Sequence, residues 1–155
     1  MPDSIVSQVV TEVEPLESTE RVGAATRKVI ASGLPGLPVV DQAGKFAGIF
    51  GEREFMAALF PGYMNELAST AMIKRSIDYT IERREGCVSE AIAGYLTTDH
   101  VLVEDEYSDT HIAELFLHHR VLIIPIASGG KPHAVVTRAD FFRALAERFL
   151  DKAPG

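Results

Sequence analysis

The chain has 155 residues, 46% of them hydrophobic, a single cysteine (Cys87) and a formal net charge of −7. That length suffices for one compact domain or two small interlocked ones, which bury about 70% of the unfolded surface without disulfide staples. The negative field excludes nucleic acid and anionic membrane surfaces as favoured partners, the lone thiol suits a reducing, cytoplasmic setting, and no stretch nears the roughly 20 apolar residues of a membrane span.

The opening MPDSIVSQVV has neither a basic start nor a long apolar run, so it is not read as a signal peptide. Ser18 is placed as the N-cap of a first helix. An apolar strand at residues 37–40, a turn at 41–44 containing Gly44, a second strand at 46–50 and a closing helix follow. Residues 61–87 begin with the turn signal Pro61-Gly62-Tyr63 and continue into a polar helical stretch over 73–84. That insert reads as a helix covering a sheet edge or, alternatively, as an adaptor surface for a partner protein. Ser108 is then placed as the N-cap of a helix with Ile112, Leu115, Phe116 and His119 on one apolar face. A strand at 121–126, a Gly turn at 128–130, a strand at 134–136 and a closing helix at 138–150 complete the chain. The last helix carries Phe141, Leu145 and Phe149 on one stripe with Phe142, Ala146 and Leu150 beside it. So wide an apolar face is more than one contact needs and predicts packing against a second subunit.

The two halves follow one plan. Glu17, Ala25 and Pro38 match Glu104, Ile112 and Pro125 at an offset of 87; after the hairpin Ile49, Glu54 and Phe55 match Val135, Asp140 and Phe141 at an offset of 86. One deletion in the second turn accounts for the slip. A unit of about sixty residues has too small a core to stand alone, so two copies sharing one core give a physical reason for the duplication. The expected architecture is α/β (α+β): tandem repeats over 1–60 and 88–150, a helical insert over 61–87 and a tail over 151–155, with two small sheets each flanked by helices.

The segments GLPVVDQAGKFAGIFGEREF and LIIPIASGGKPHAVVTRADFF resemble the CBS motif, in which a Leu-Pro-Val-Val-Asp strand and a Gly turn precede Gly, two apolar residues, Ser or Thr, two further residues and Asp. Residues 37–41 carry the first half of the pattern and residues 135–140 the second. The resemblance implies a CBS pair, or Bateman module: a stand-alone, non-catalytic regulator that forms a homodimer, binds an adenosine-type ligand between its repeats and signals to a partner protein. It places Thr137 and Asp140 on the ribose hydroxyls and Val135 against the sugar. Val13 and Glu14, by backbone contact, and Leu34 and Pro35, by packing, would form the adenine slot. No cofactor is implied; AMP or a related adenosine compound is the expected regulatory ligand. One carboxylate can accept both donors of a diol, a charge-assisted contact of about 1.5–3 kcal/mol. The helix opening at Arg138 would aim N–H groups at a phosphate, with Arg138 as its ion-pair partner. Thr137 and Asp140 also form a capping-box pattern that any helix can use, and the two roles are compatible.

Two departures from the motif matter. The first repeat has Gly51 where the hydroxyl belongs and Glu54 where the Asp belongs, so that cleft is expected to be weak or empty. No basic residue precedes either strand proline, so a polyphosphate would depend on Arg138, Arg53 or Arg120, and a ligand with one phosphate or none is favoured. The remaining chemistry is sparse. His118 and His119 are adjacent and point about 100° apart on a helix, Glu114 and His118 alone make no zinc site, and no metal is expected. No Walker loop, Gly-x-Ser-x-Gly or His-Glu-x-x-His occurs, Cys87 has no visible base partner, and the acidic run 104–106 reads as a solvated loop before a helix. The alternative to a sensor is a ligand-free dimerisation or interaction module.

Overall fold

In the computed structural model, which describes residues 4–60, 76–97 and 101–153, the first half runs α1 (Ile5–Val9), β1 (Thr11–Glu12), β2 (Leu16–Glu17), α2 (Val22–Ser32), β3 (Gly36–Val40), β4 (Phe46–Gly51) and α3 (Glu52–Leu59). Next come α4 (Ile77–Arg84) and two 3-10 turns, Glu85–Ser89 and Ile92–Tyr95. The second half contains β5 (Val103–Glu104), α5 (Asp109–His118), β6 (Ile123–Ser128), β7 (Lys131–Thr137) and α6 (Arg138–Lys152).

Two sheets form, ordered β2-β3-β4 and β1-β7-β6-β5. Each is built on the hairpin that the repeat pattern predicts, β3 with β4 and β6 with β7, and each hairpin is joined at one edge by a short parallel strand. The mixed sheets flanked by helices are the architecture expected from the sequence. The opening segment of each repeat lies on the sheet of the other. β1 pairs antiparallel with β7, Thr11 opposite Val135. Reciprocally, Thr97 bridges Ile49 of β4, with Ile49 N donating to Thr97 O at 3.4 Å and Thr97 N to Ile49 O at 3.2 Å. Thr11 and Thr97 are equivalent by pairing, since their partners Val135 and Ile49 match across the repeats.

The core follows this exchange. Leu16, Val22, Ala25, Val39, Phe50 and Ile92 pack in the first half, whereas Ile5 and Val6 pack with Val103, Ile112, Ile124, Val136 and Phe141 in the second. Ile49, Ile123 and Val135 form a third cluster, with Val13, Leu34 and Phe46 against it, and join the two sheets. Each fully buried side chain of this type contributes about 1.5–3 kcal/mol of transfer free energy. At the hairpin tips Phe46 N donates to Gly130 O at 3.0 Å and Lys45 Nζ to Gly129 O at 2.6 Å, so the turns of the two repeats also meet.

Several local expectations are corrected. Ser18 is not an N-cap: α2 starts four residues later, after Arg21, with no side-chain cap. Tertiary pairing prevails there, because Ser18 N–H bonds to Val40 O and the first helical amide, Val22 N, to Glu90 O, both at 2.9 Å. Ser108 does cap α5, accepting from His111 N at 3.1 Å. His119 leaves the apolar face, since the chain turns extended there and exposes it. The first strand of the second hairpin starts later than expected, at Ile123 instead of residue 121, and runs on to Ser128, and its partner begins already at Lys131, because two positive-φ glycines, Gly129 and Gly130, make the turn tight. The acidic run is more than a solvated loop: Glu104 accepts from Gly130 N at 2.9 Å and Asp105 meets His133 at 2.7 Å. Within the insert, α4 buries none of its residues and packs on α3 and the first 3-10 turn, with Arg84 Nε donating to Ala58 O at 3.0 Å. The Pro61-Gly62-Tyr63 turn lies outside the described residues.

Candidate functional site

The N-termini of α3 and α6 face the joint between the repeats. Their first amides are anchored alike: Glu52 N donates to Pro35 O and Arg138 N to Leu122 O, both at 2.9 Å. Two cavities result, one beside each helix start, and Pro35, Glu52 and Leu122 line both.

The cavity beside α6 measures about 630 Å³. Leu34, Pro35 and Glu52 of the first repeat form one wall; Thr137, Arg138, Asp140 and the exposed Phe142 of the second form the other. Thr137 Oγ1 accepts from Asp140 N at 3.0 Å and so caps α6. This is half of a capping box, because the Asp140 carboxylate does not fold back onto the cap. Among the described residues its charged neighbour is Arg143, 3.9 Å away, and the side chain is 41% exposed. The cap uses a lone pair of Thr137, which leaves the hydroxyl proton for a ligand acceptor. With Arg138 N on Leu122 O and Asp140 N on Thr137, two of the first three α6 amides are occupied, so the helix end offers a phosphate less than the sequence pattern implies.

The other residues named from the sequence lie nearby or aside. Val135 is fully buried in the cluster beneath the joint, packed with Leu34 and Val13, and does not line the cavity. Val13 N is engaged with His133 O at 3.0 Å. Glu14 is exposed and is not among the cavity-lining residues.

The cavity beside α3 measures about 170 Å³, below the 300–1,000 Å³ typical of ligand pockets. Arg53, His119 and Arg120 line it together with Glu52, Glu54 and Thr97. Glu54 is 6% exposed, and Thr97 Oγ1 donates to its Oε2. Thr97 is not among the residues named from the sequence: the offset of 87 that holds before the hairpin carries Thr11 to position 98, and only the pairing with Ile49 identifies Thr97. The missing hydroxyl at position 51 has a steric cause. A Cβ on Gly51 would lie 2.2 Å from Pro35 O and 2.5 Å from the Cα of Gly36, its cross-strand partner.

Elsewhere, among the described residues, no group of three or more His, Cys, Asp or Glu could hold a metal, and no helix is long and apolar enough to cross a membrane. Cys87 is buried in the first core.

Comparison with known proteins agrees with this architecture. Residues 6–61 match the CBS domain family model. The fold is similar to the CBS domain of a CBS-domain-containing membrane protein from Sphaerobacter thermophilus (24% identity, 86% of this chain and 82% of that one, TM-score 0.67). It is also similar to CBSX2 in complex with AMP (20% identity, 94% and 98%, TM-score 0.65). The CBS-domain protein ATU1752 from Agrobacterium tumefaciens is a third such structure (15% identity, 91% and 90%, TM-score 0.65). No curated protein sequence matches the chain.

Proposed function

We propose that the chain, whose residues 6–61 match the CBS domain family model and whose fold is that of a CBS pair, is a regulatory module sensing an adenosine-type ligand in the cavity beside α6. CBS-domain proteins are generally regulatory rather than catalytic. The observation that carries the reading is the meeting of Thr137, Arg138 and Asp140 with Leu34 and Pro35 around one cavity of about 630 Å³. The Asp140 carboxylate serves as acceptor for a ribose diol, the Thr137 hydroxyl adds a donor, and Leu34 and Pro35 offer an apolar edge for a flat base. CBSX2, a similar fold, is described in complex with AMP.

Charge around the cavity narrows the ligand. Among the described lining residues Glu52 and Asp140 oppose Arg138, with Arg143 standing 3.9 Å from Asp140, so no cluster of cations awaits a polyphosphate. A nucleoside or nucleoside monophosphate fits better than a triphosphate. The same reading places the module in the cytoplasm, where a lone thiol stays reduced, and makes it a homodimer through the exposed apolar face of α6, on which Phe142, Phe149 and Leu150 are each more than 60% exposed. A regulated partner protein receives the signal.

The test is thermal shift of the purified chain with adenosine, AMP, ADP, ATP and S-adenosylmethionine, beside Asp140→Ala. A ligand at 100 times its Kd adds about 2.7 kcal/mol, several degrees for a domain of this size. A shift with AMP or adenosine that vanishes in the variant supports the sensor. No shift with any of the five, in a folded protein, supports instead the dimerisation module that the wide apolar face of α6 favours.

A further inference from the structure

The structure assigns Thr97 as a built-in occupant of the cavity beside α3: its hydroxyl takes the place on Glu54 that a ribose hydroxyl would take, so the chain holds one nucleoside ligand and not two. The inference rests on the adenosine reading for the number of ligands, but the latch itself stands on the geometry of Thr97 and Glu54.

Equivalent positions in the two repeats differ in one way. Glu54 matches Asp140 at the 86-residue offset, and Thr97 matches Thr11 through their paired partners, Ile49 and Val135. Glu54 is one methylene longer than Asp140. It reaches the hydroxyl of the crossing segment and is buried, whereas the Asp140 carboxylate stays half-exposed beside its cavity. A diol entering the first cavity would have to displace a hydrogen bond already made, and exchanging one hydroxyl donor for another yields little net affinity.

The β4 strand is shaped to receive this segment. Gly48 has φ +153°, and a Cβ there would lie 2.7 Å from Thr97 O. Ile49 and Thr97 exchange both backbone hydrogen bonds. Two residues earlier, Tyr95 OH contacts the Glu90 carboxylate at 3.0 Å and accepts from Arg84 Nη2 at 3.1 Å, while Arg84 Nε holds Ala58 O near the end of α3. The helix carrying Glu54 is thus tied at one end by Thr97 and at the other by the insert. Gly51, with no room for a Cβ, closes the remaining route to a hydroxyl there.

The test has two arms. In the first, amide hydrogen exchange is followed at residues 49 and 97 without ligand, in wild type, Thr97→Ser and the near-isosteric Thr97→Val. Thr97→Val should exchange at least tenfold faster at both amides, with Thr97→Ser within threefold of wild type; equal rates in all three would overturn the latch. In the second, AMP is counted per chain by calorimetry. One AMP in wild type and none in Asp140→Ala supports the inference. Two in wild type, with one surviving Asp140→Ala, overturns it while leaving the sensor reading intact. No AMP in wild type defeats the sensor reading and with it the one-ligand count, and the exchange arm alone then decides the latch.

Discussion

Asp109 and Ile5 lie 104 residues apart in sequence, and Oδ2 of the first accepts the backbone N–H of the second at 2.7 Å. Oδ1 takes Val6 N at 3.0 Å and the Ser4 hydroxyl at 2.9 Å. One carboxylate in the first turn of α5 thereby satisfies the start of α1, a helix whose Ile5 and Val6 side chains fill the core of the second repeat. The exchange of opening segments is held by this side chain in one half and by backbone pairing of Arg21 with Ala91 in the other.

Asp109→Ala should therefore destabilise the fold by about 1–3 kcal/mol, because it leaves buried donors without an acceptor. Urea unfolding at neutral pH measures the cost, and an unchanged midpoint would show that water replaces the carboxylate at no penalty.

The same residue imparts an acid limb to the stability curve. Burial raises the Asp109 pKa, but the bonds from Ile5, Val6 and Ser4, with Arg148 nearby, outweigh it and hold the group below its ordinary value. A depressed folded pKa means that the unfolded chain binds the proton first. The contribution is fully present above the unfolded value of about 3.9 and is lost as pH falls through the folded value. Wild type should lose stability faster than Asp109→Asn on titration below about pH 4. Parallel curves for the two proteins would contradict this.

Cap and ligand roles at the start of α6 separate by mutation. Asp140→Ala retains the cap, since the bond to Thr137 comes from the backbone N–H, so its unfolding free energy should change by less than about 0.5 kcal/mol while AMP binding is lost. Thr137→Ala should cost about 1 kcal/mol as well as affinity. Chemical denaturation beside calorimetry distinguishes the pair; equal destabilisation by both variants would mean that the Asp140 carboxylate is structural.

Gly51→Ser restores the hydroxyl of the motif but drives a Cβ to 2.2 Å from Pro35 O. Overpacking of this kind costs about 1–3 kcal/mol, and the thermal midpoint should fall. A variant as stable as wild type would show that β3 yields at Pro35.

Charging the exposed stripe of α6 at Phe149 and Leu150, 67% and 68% exposed, should convert a dimer to monomer in sedimentation analysis with little loss of monomer stability. A wild type that already sediments as a monomer would remove that face as the subunit contact.

Much of the fold was legible without coordinates because it rests on local chemistry. The apolar run at residues 37–40, the Gly turns and the repeat offsets of 87 and 86 pointed to both hairpins and the closing helices, since strand period, turn geometry and capping act over a few residues. The repeat motif likewise singled out Thr137, Arg138 and Asp140 and the loop at Leu34 and Pro35, which one cavity does bring together. The tertiary structure decided what depends on crossing. Thr11 and Thr97 sit on each other's sheets, the first amide of α2 is taken by the Glu90 carbonyl instead of Ser18, and one added methylene at Glu54 lets it reach Thr97 where Asp140 lines its cavity beside Arg143. Local patterns carry the spacing of residues along one strand or helix. Which chain segment arrives beside them is set by long-range packing, and only that arrival seats the Thr97 hydroxyl on Glu54 while the Asp140 carboxylate stays 41% exposed.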